Sequence, residues 1–212
     1  VLVPEGHRHG HQYFRHENSA DAERCPLTTS NYELAGMSVG HARDPVEREH
    51  RTRFLEHWQR HYRIAKAEAP FLDIERFTRL IAYADVVNLW SYPQLDEHDI
   101  PYVLLVMAGF MTVHRKGAET TRERFWFEGN VRRAEDLWKT GRKARARLFK
   151  IVYRDPSRTP FPVGADVLRW QLVERVSRVA DAGAPRVSRP EIREFELFME
   201  RHEAWRRDRG KQ

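Results

Sequence analysis

The stretch Ile100-Pro101-Tyr102-Val103-Leu104-Leu105-Val106-Met107-Ala108-Gly109-Phe110-Met111-Thr112-Val113 decides how this chain is organised, because it is apolar on every side. An element without a polar face has to be buried all round, so the run marks the centre of the molecule. It falls short of the ~20 apolar residues that cross a bilayer, and Pro101, Gly109 and Thr112 interrupt it. Its length and the proline near its start favour a helix entered at Pro101. A central strand over Tyr102 to Met107 is the alternative, since a continuously apolar run carries no periodicity to separate the two.

Helical spacing extends to either side of this run. Phe54, Leu55, Trp58 and Tyr62 form one apolar stripe in a helix that begins near Val46 and is closed by Pro70. Asp73 is placed to cap a second helix through about Trp90, with Ile74, Phe77, Leu80, Ile81, Ala84 and Val87 inward. On the other side, Asn130 starts a helix carrying Val131, Ala134, Leu137 and Trp138, stopped by Gly141. Leu148 to Tyr153 alternates as a strand should, with Phe149, Ile151 and Tyr153 on one face and Lys150 and Arg154 on the other. Asp166 to Val179 is expected to be helical, ending near Gly183. Ser188-Arg189-Pro190-Glu191 has the spacing of a capping box and opens a last helix through Ile192, Phe195, Phe198, Met199 and Trp205. Residues 1–45 lack periodicity and read as an irregular His/Cys-rich module ahead of a helical domain over 46–212. The expectation is a mainly α fold with a short β element and an irregular N-terminal segment that zinc can stabilise.

The 212 residues are 41% hydrophobic and 11% aromatic, enough to bury a real core. The polar, His-rich start does not read as a signal peptide. A single cysteine rules out an internal disulfide framework, so a reducing, cytoplasmic setting is expected. Positive charge is concentrated: residues 122–158 hold 12 Lys/Arg against five acids, a net +7 beside +6 for the whole chain. A confined basic zone points to a polyanionic partner more strongly than a diffuse basic composition does. Within it, cations interleave with Phe125, Trp126, Phe127, Trp138, Phe149 and Tyr153. Cations neutralise phosphates and exposed aromatics stack on bases, so the segment is a candidate for binding DNA or RNA. Arg142, Lys143, Arg145, Arg147 and Lys150 are the expected phosphate contacts, while Phe125, Phe127 and Trp138 read as core.

Eight of the eleven histidines and Cys25 fall in the first 61 residues. His9, His11, His16 and Cys25 can supply the three or four borderline ligands of a tetrahedral Zn²⁺ site. His50, His57 and His61 lie along one side of the first helix, at its boundary with the apolar stripe. An i, i+4 His pair is a zinc geometry, but Trp58 stands where a metalloprotease helix carries Glu. These three are expected to hydrogen-bond or to meet phosphate.

Gly6, Tyr13-Phe14-Arg15-His16, Cys25 and Glu47-Arg48-Glu49-His50-Arg51 leading into a helix resemble the N-terminal part of competence-protein CoiA-like proteins, over about residues 6–56. The resemblance implies that His16 and Cys25 are zinc ligands, that two further cysteines lie upstream of Val1, and that a metal-dependent nuclease domain follows. Such a domain needs an Asp and a Glu-x-Lys pair on strands to hold Mg²⁺. The nearest cluster, Asp73-Ile74-Glu75-Arg76, sits in a helical pattern with Arg in place of Lys. Asp85 reads as a helix-surface residue and Asp99 as a cap. The leading expectation is therefore a non-catalytic, nucleic-acid-binding or complex-associated helical protein. A CoiA-like nuclease, active or degenerate, and a protein–protein subunit of a larger assembly are the alternatives.

Overall fold

The computed structural model describes residues 2–3, 13–14, 44–114, 117, 119–128, 137, 146–155, 161–174 and 186–209. At the N-terminus, Leu2–Val3 (β1) and Tyr13–Phe14 (β2) pair antiparallel. The helices are Asp44–Glu56 (α1), Trp58–Glu68 (α2), Ile74–Val86 (α3), Ile100–Met107 (α4) and Arg189–Arg209 (α5). The strands Met111–Val113 (β3), Thr121–Phe127 (β4), Leu148–Arg154 (β5) and Val167–Val173 (β6) form one antiparallel sheet in the order β3-β4-β5-β6.

Local signals set the helix boundaries. Asp73 caps α3 by accepting a hydrogen bond from the Arg76 N–H at 2.7 Å. Ser188 and Glu191 make a reciprocal box at the start of α5: the Ser188 N–H donates to Glu191 Oε2 at 2.8 Å, and the Glu191 N–H donates to Ser188 Oγ at 3.4 Å. Burial pushes the Glu191 carboxyl up, but hydrogen bonds from Lys66, Ser188 and Tyr62 outweigh it and lower it to about 2. The expected single helix from Val46 to Pro70 is interrupted at His57, which separates α1 from α2. The second expected helix ends early, because Asn88 takes a left-handed conformation (φ 55°) and a 3₁₀ turn, Leu89–Ser91, follows.

The all-round apolar run is buried, as its composition requires, and it divides into two elements. Ile100 to Val106 is helical and buried throughout. Gly109, at φ 63°, then turns the chain so that Met111–Val113 enters the sheet as β3. The core lies between the helices and one face of the sheet, where α4 packs on β4. Phe54, Tyr62, Phe77, Trp90, Tyr102 and Phe125 are its largest fully buried aromatic side chains. Phe125 and Phe127 are core residues as expected, whereas Trp138 and the helix expected from Asn130 lie outside the described residues.

The expectation of a mainly α fold with a short β element is overturned by this four-stranded sheet. Besides β3, two strands escape a reading by periodicity. β4 opens Thr121-Arg122-Glu123-Arg124, a charged sequence that looks like a solvated loop. Yet Glu123 is fully buried, because Lys150 on β5 places its ammonium 2.7 Å from Glu123 Oε2. β6 falls inside the expected helix Asp166 to Val179, but Leu148 to Tyr153 offers it a ladder, and Val167 to Val173 pairs along nearly its whole length. Backbone hydrogen bonds supplied by a distant segment override a local helical spacing.

Candidate nucleic-acid interface

Strand register assigns the side chains of the sheet to two faces. In β4 and β5, Trp126 lies opposite Phe149, Arg124 opposite Ile151 and Arg122 opposite Tyr153. In β5 and β6, Phe149 lies opposite Leu172 and Ile151 opposite Trp170. Directly opposed residues share a face, so Arg122, Arg124, Trp126, Phe149, Ile151, Trp170 and Leu172 all lie on the face away from the helical core. Towards β6 this face is open: Trp170 is 65% exposed and Leu172 51%. Trp126, Phe149, Ile151 and Trp170, with Phe127, Glu128 and Val167, line a depression of about 310 Å³.

Cations are built into this aromatic surface. The Arg124 guanidinium lies 4.3 Å from the Trp126 ring centroid and 4.9 Å from that of Phe110. Arg147 lies 5.8 Å from the Phe149 ring and pairs with Glu128 Oε2 at 3.1 Å, its side chain still 66% exposed. Trp170 meets Phe149 edge-on, with centroids 5.6 Å apart. A guanidinium against an aromatic face is attracted by the ring quadrupole. Arg124 is itself buried, and Arg147 is the one of the two that reaches solvent. The surface therefore offers flat π-faces with positive charge beside them.

Of the five expected phosphate contacts, Arg142, Lys143 and Arg145 lie outside the described residues. Arg147 is at the open face, at the end of the sheet where Trp126 and Phe149 stand opposite each other. Lys150 is turned the other way. Its ammonium donates to the Glu68 carbonyl at the C-terminus of α2 at 2.8 Å and pairs with the buried Glu123. It ties the sheet to a helix end and does not face solvent beside Arg147. The expected zinc ligands His9, His11, His16 and Cys25 also lie outside the described residues. Among the described residues, no group of three His, Cys, Asp or Glu side chains is arranged to hold a metal ion.

The cluster nearest to a nuclease motif is occupied with structural tasks. Asp73 caps α3, Glu75 pairs with Arg79, and Arg76 donates to the carbonyls of Ala108 and Phe110 at 2.9 and 3.0 Å. On the strands, Lys150 faces Glu123, but Leu148 stands two residues before it, where a Glu-x-Lys pair needs a carboxylate.

Two of the three histidines expected along the first helix hydrogen-bond, and the third is a core residue. His50 Nδ1 lies 3.0 Å from the Trp90 carbonyl and His57 Nδ1 2.9 Å from Glu97 Oε1. His61 is buried, stacked on Phe54 at 5.0 Å. Its Nε2 is 3.3 Å from Glu97 Oε1 without the alignment of a hydrogen bond. Burial pushes His61 down to about 4, against the partial pull of Glu97. The folded state thus holds His61 neutral, and the unfolded chain binds the extra proton as pH falls from about 6.5 to about 4. Stability is expected to fall across that window by up to about 1.4 kcal/mol per pH unit. Urea unfolding at successive pH values checks this, and His61→Phe, which keeps a ring against Phe54, should flatten the curve there.

Sequence reasoning missed Asp85, which is not a helix-surface residue: its side chain is only 2% exposed. It accepts from Arg51 Nε at 2.9 Å, Arg51 Nη2 at 3.1 Å, Trp90 Nε1 at 2.5 Å and His202 Nε2 at 2.6 Å, and it pairs with Arg206 Nη1 at 2.7 Å. Burial raises its carboxyl, but Arg51, Arg206 and His202 outweigh that and hold it below its usual range. The donors come from α1, the Leu89–Ser91 turn and α5, so the carboxylate knots three segments to α3. Beside it, between α3 and α5, lies a groove of about 630 Å³ lined by Tyr83, Val86, Phe198, His202, Trp205 and neighbouring residues. No helix of the described residues is long and apolar enough to cross a membrane.

No protein-family model, curated protein or solved structure matches this chain.

Proposed function

We propose that this chain is a non-catalytic nucleic-acid-binding protein that takes single-stranded DNA or RNA on the open face of its sheet. The observation that carries the proposal is the row Trp126, Phe149 and Trp170, with Arg124 and Arg147 set against its rings. Unpaired bases stack on such rings whatever their sequence, and an exposed flanking cation such as Arg147 follows the backbone. Arg142, Lys143 and Arg145 belong to the segment that leads into Arg147, so the densest basic tract joins the sheet at the aromatic end. These four residues, without Lys150, are the proposed phosphate contacts. Zinc held by His9, His11, His16 and Cys25 is proposed as a structural stabiliser of the N-terminal segment. Elemental analysis tests it: zinc should accompany the purified chain and be lost in Cys25→Ser.

The function is tested by fluorescence anisotropy with a labelled single-stranded oligonucleotide at several salt concentrations. Four phosphate contacts would lower affinity by about 10²-fold between roughly 50 and 200 mM salt. Alanine at Arg142, Arg145 and Arg147 should weaken binding and flatten that slope. No binding of single strands even at low salt overturns the proposal. That result would favour a protein-binding subunit, a reading to which the apolar groove between α3 and α5 lends support.

A further inference from the structure

β6 is an edge strand: among the described residues it pairs with β5 alone and ends the sheet. Six of its seven residues are exposed. Val167, Leu168, Trp170 and Leu172 are 38%, 49%, 65% and 51% exposed, so half of the large exposed hydrophobics of the described structure sit on this one strand. A long, apolar, uncovered edge presents unpaired N–H and C=O groups to any strand that can add to it, and proteins normally blunt such edges with charge. Here Arg169 is the sole charged residue of the strand.

The order of residues in β6 says which strand fits. Val167-Leu168-Arg169-Trp170-Gln171-Leu172-Val173 reads nearly the same in both directions about Trp170. Two antiparallel copies of a strand pair residue i with residue j and residue j with residue i, so a palindromic strand is complementary to itself. A two-fold axis at Trp170 sets Trp170 against Trp170, Leu172 against Leu168, Val173 against Val167, and Arg169 against Gln171. No like charges are directly opposed, and the Gln171 side-chain carbonyl can accept from the Arg169 guanidinium. The register shift between Val152 and Tyr153 makes β6 irregular near Leu168, at one end, and leaves the central three pairs regular.

We infer that this protein forms a homodimer by antiparallel pairing of β6 with β6 of a second copy, joining two four-stranded sheets into one of eight strands. The exposed apolar residues of the edge are then covered by their own counterparts. Trp170 of one copy lies beside Trp170 of the other, so the open aromatic faces become continuous across the axis. The inference stands on the edge and its sequence, independently of nucleic-acid binding, and is tested on protein freed of nucleic acid.

Sedimentation velocity and light scattering of the full chain should give twice its 25.2 kDa mass. Trp170→Lys and Trp170→Glu each place like charges at the axis and should each give monomers that keep the wild-type circular dichroism, since this side chain is largely exposed. Mixed in equal amounts, the two variants should recover the dimer, because only at this register does position 170 meet itself. Trp170→Cys in a Cys25→Ser background should oxidise to a disulfide-linked dimer, a readout that survives if either charged variant fails to fold. A wild-type chain that is monomeric at about 100 μM overturns the inference. So does a dimer that persists in Trp170→Lys, or a failure of both the mixed pair and the cysteine variant to associate.

Discussion

Asp85→Ala is expected to be strongly destabilising although it lies outside the apolar core. It removes the central carboxylate of a buried ionic cluster and leaves Arg51, 9% exposed at its side chain, with Glu203 as its remaining partner and Arg206 with Glu47. Removing one member of a buried pair costs about 3–5 kcal/mol where the remaining charge is left uncompensated. Glu203 and Glu47 still offset part of the charge here, so the loss is expected at the lower end of that range. For a chain of this size that corresponds to a fall in Tm of about 10 °C. Asp85→Asn keeps the shape and one acceptor oxygen but not the charge, so it should fall between wild type and alanine. Urea unfolding followed by circular dichroism measures both. A loss below about 1 kcal/mol for alanine would mean that α5 is held by its apolar contacts, such as Trp58 stacked on Phe195 at 3.7 Å, and not by the carboxylate. The cluster also has a pH signature. Asp85 and Glu191 both lie below the usual carboxylate range when folded. The stability each contributes is present above that range and lost as pH falls through it, below the window in which His61 acts.

The second large effect concerns the open sheet face. Trp126→Leu and Phe149→Leu keep an apolar side chain on the sheet but remove the π-face, and each should cost about 1–3 kcal/mol of binding to a single-stranded oligonucleotide. Together they should weaken binding by about 10²-fold or more. The salt slope should stay at the wild-type value, because no phosphate contact is removed. Arg147→Ala should do the reverse, lowering the slope by about one with a smaller loss of affinity. That crossed pattern distinguishes stacking from charge and separates both from unfolding, which would move both readouts at once. If the leucine variants bind as tightly as the wild type, the rings serve the sheet alone.

Several local signals were read correctly, and the reasons are local, although the helix expected over Asp166 to Val179 was also a local reading and is a strand. Asp73 and Ser188 mark helix starts because a short polar side chain meets backbone N–H groups within three residues of itself. Phe149, Ile151 and Tyr153 alternate with Lys150 and Arg154, and the strand follows from that period of two. The all-round apolar run had to be buried, whatever its backbone. Arg147 is recognisable as a surface cation beside an aromatic, since nothing in its own neighbourhood removes it from solvent.

Other features depended on residues far along the chain. Glu123 lies in a polar tetrapeptide and is buried in a strand where Lys150 neutralises it, which also withdraws Lys150 from the proposed phosphate contacts. Val167 to Val173 has apolar positions compatible with a helix, and the exposed edge of β5 decides for a strand. Asp85 has a helical neighbourhood and no visible reason for burial, until Arg51, His202 and Arg206 arrive from 34, 117 and 121 residues away. By itself the sequence determined the capped helices, the buried centre and the basic aromatic segment, because spacing and capping act over a few residues. Only the tertiary structure decided the sheet, its open aromatic face and the carboxylate at the heart of the helices, because each needs partners that sequence proximity does not bring together.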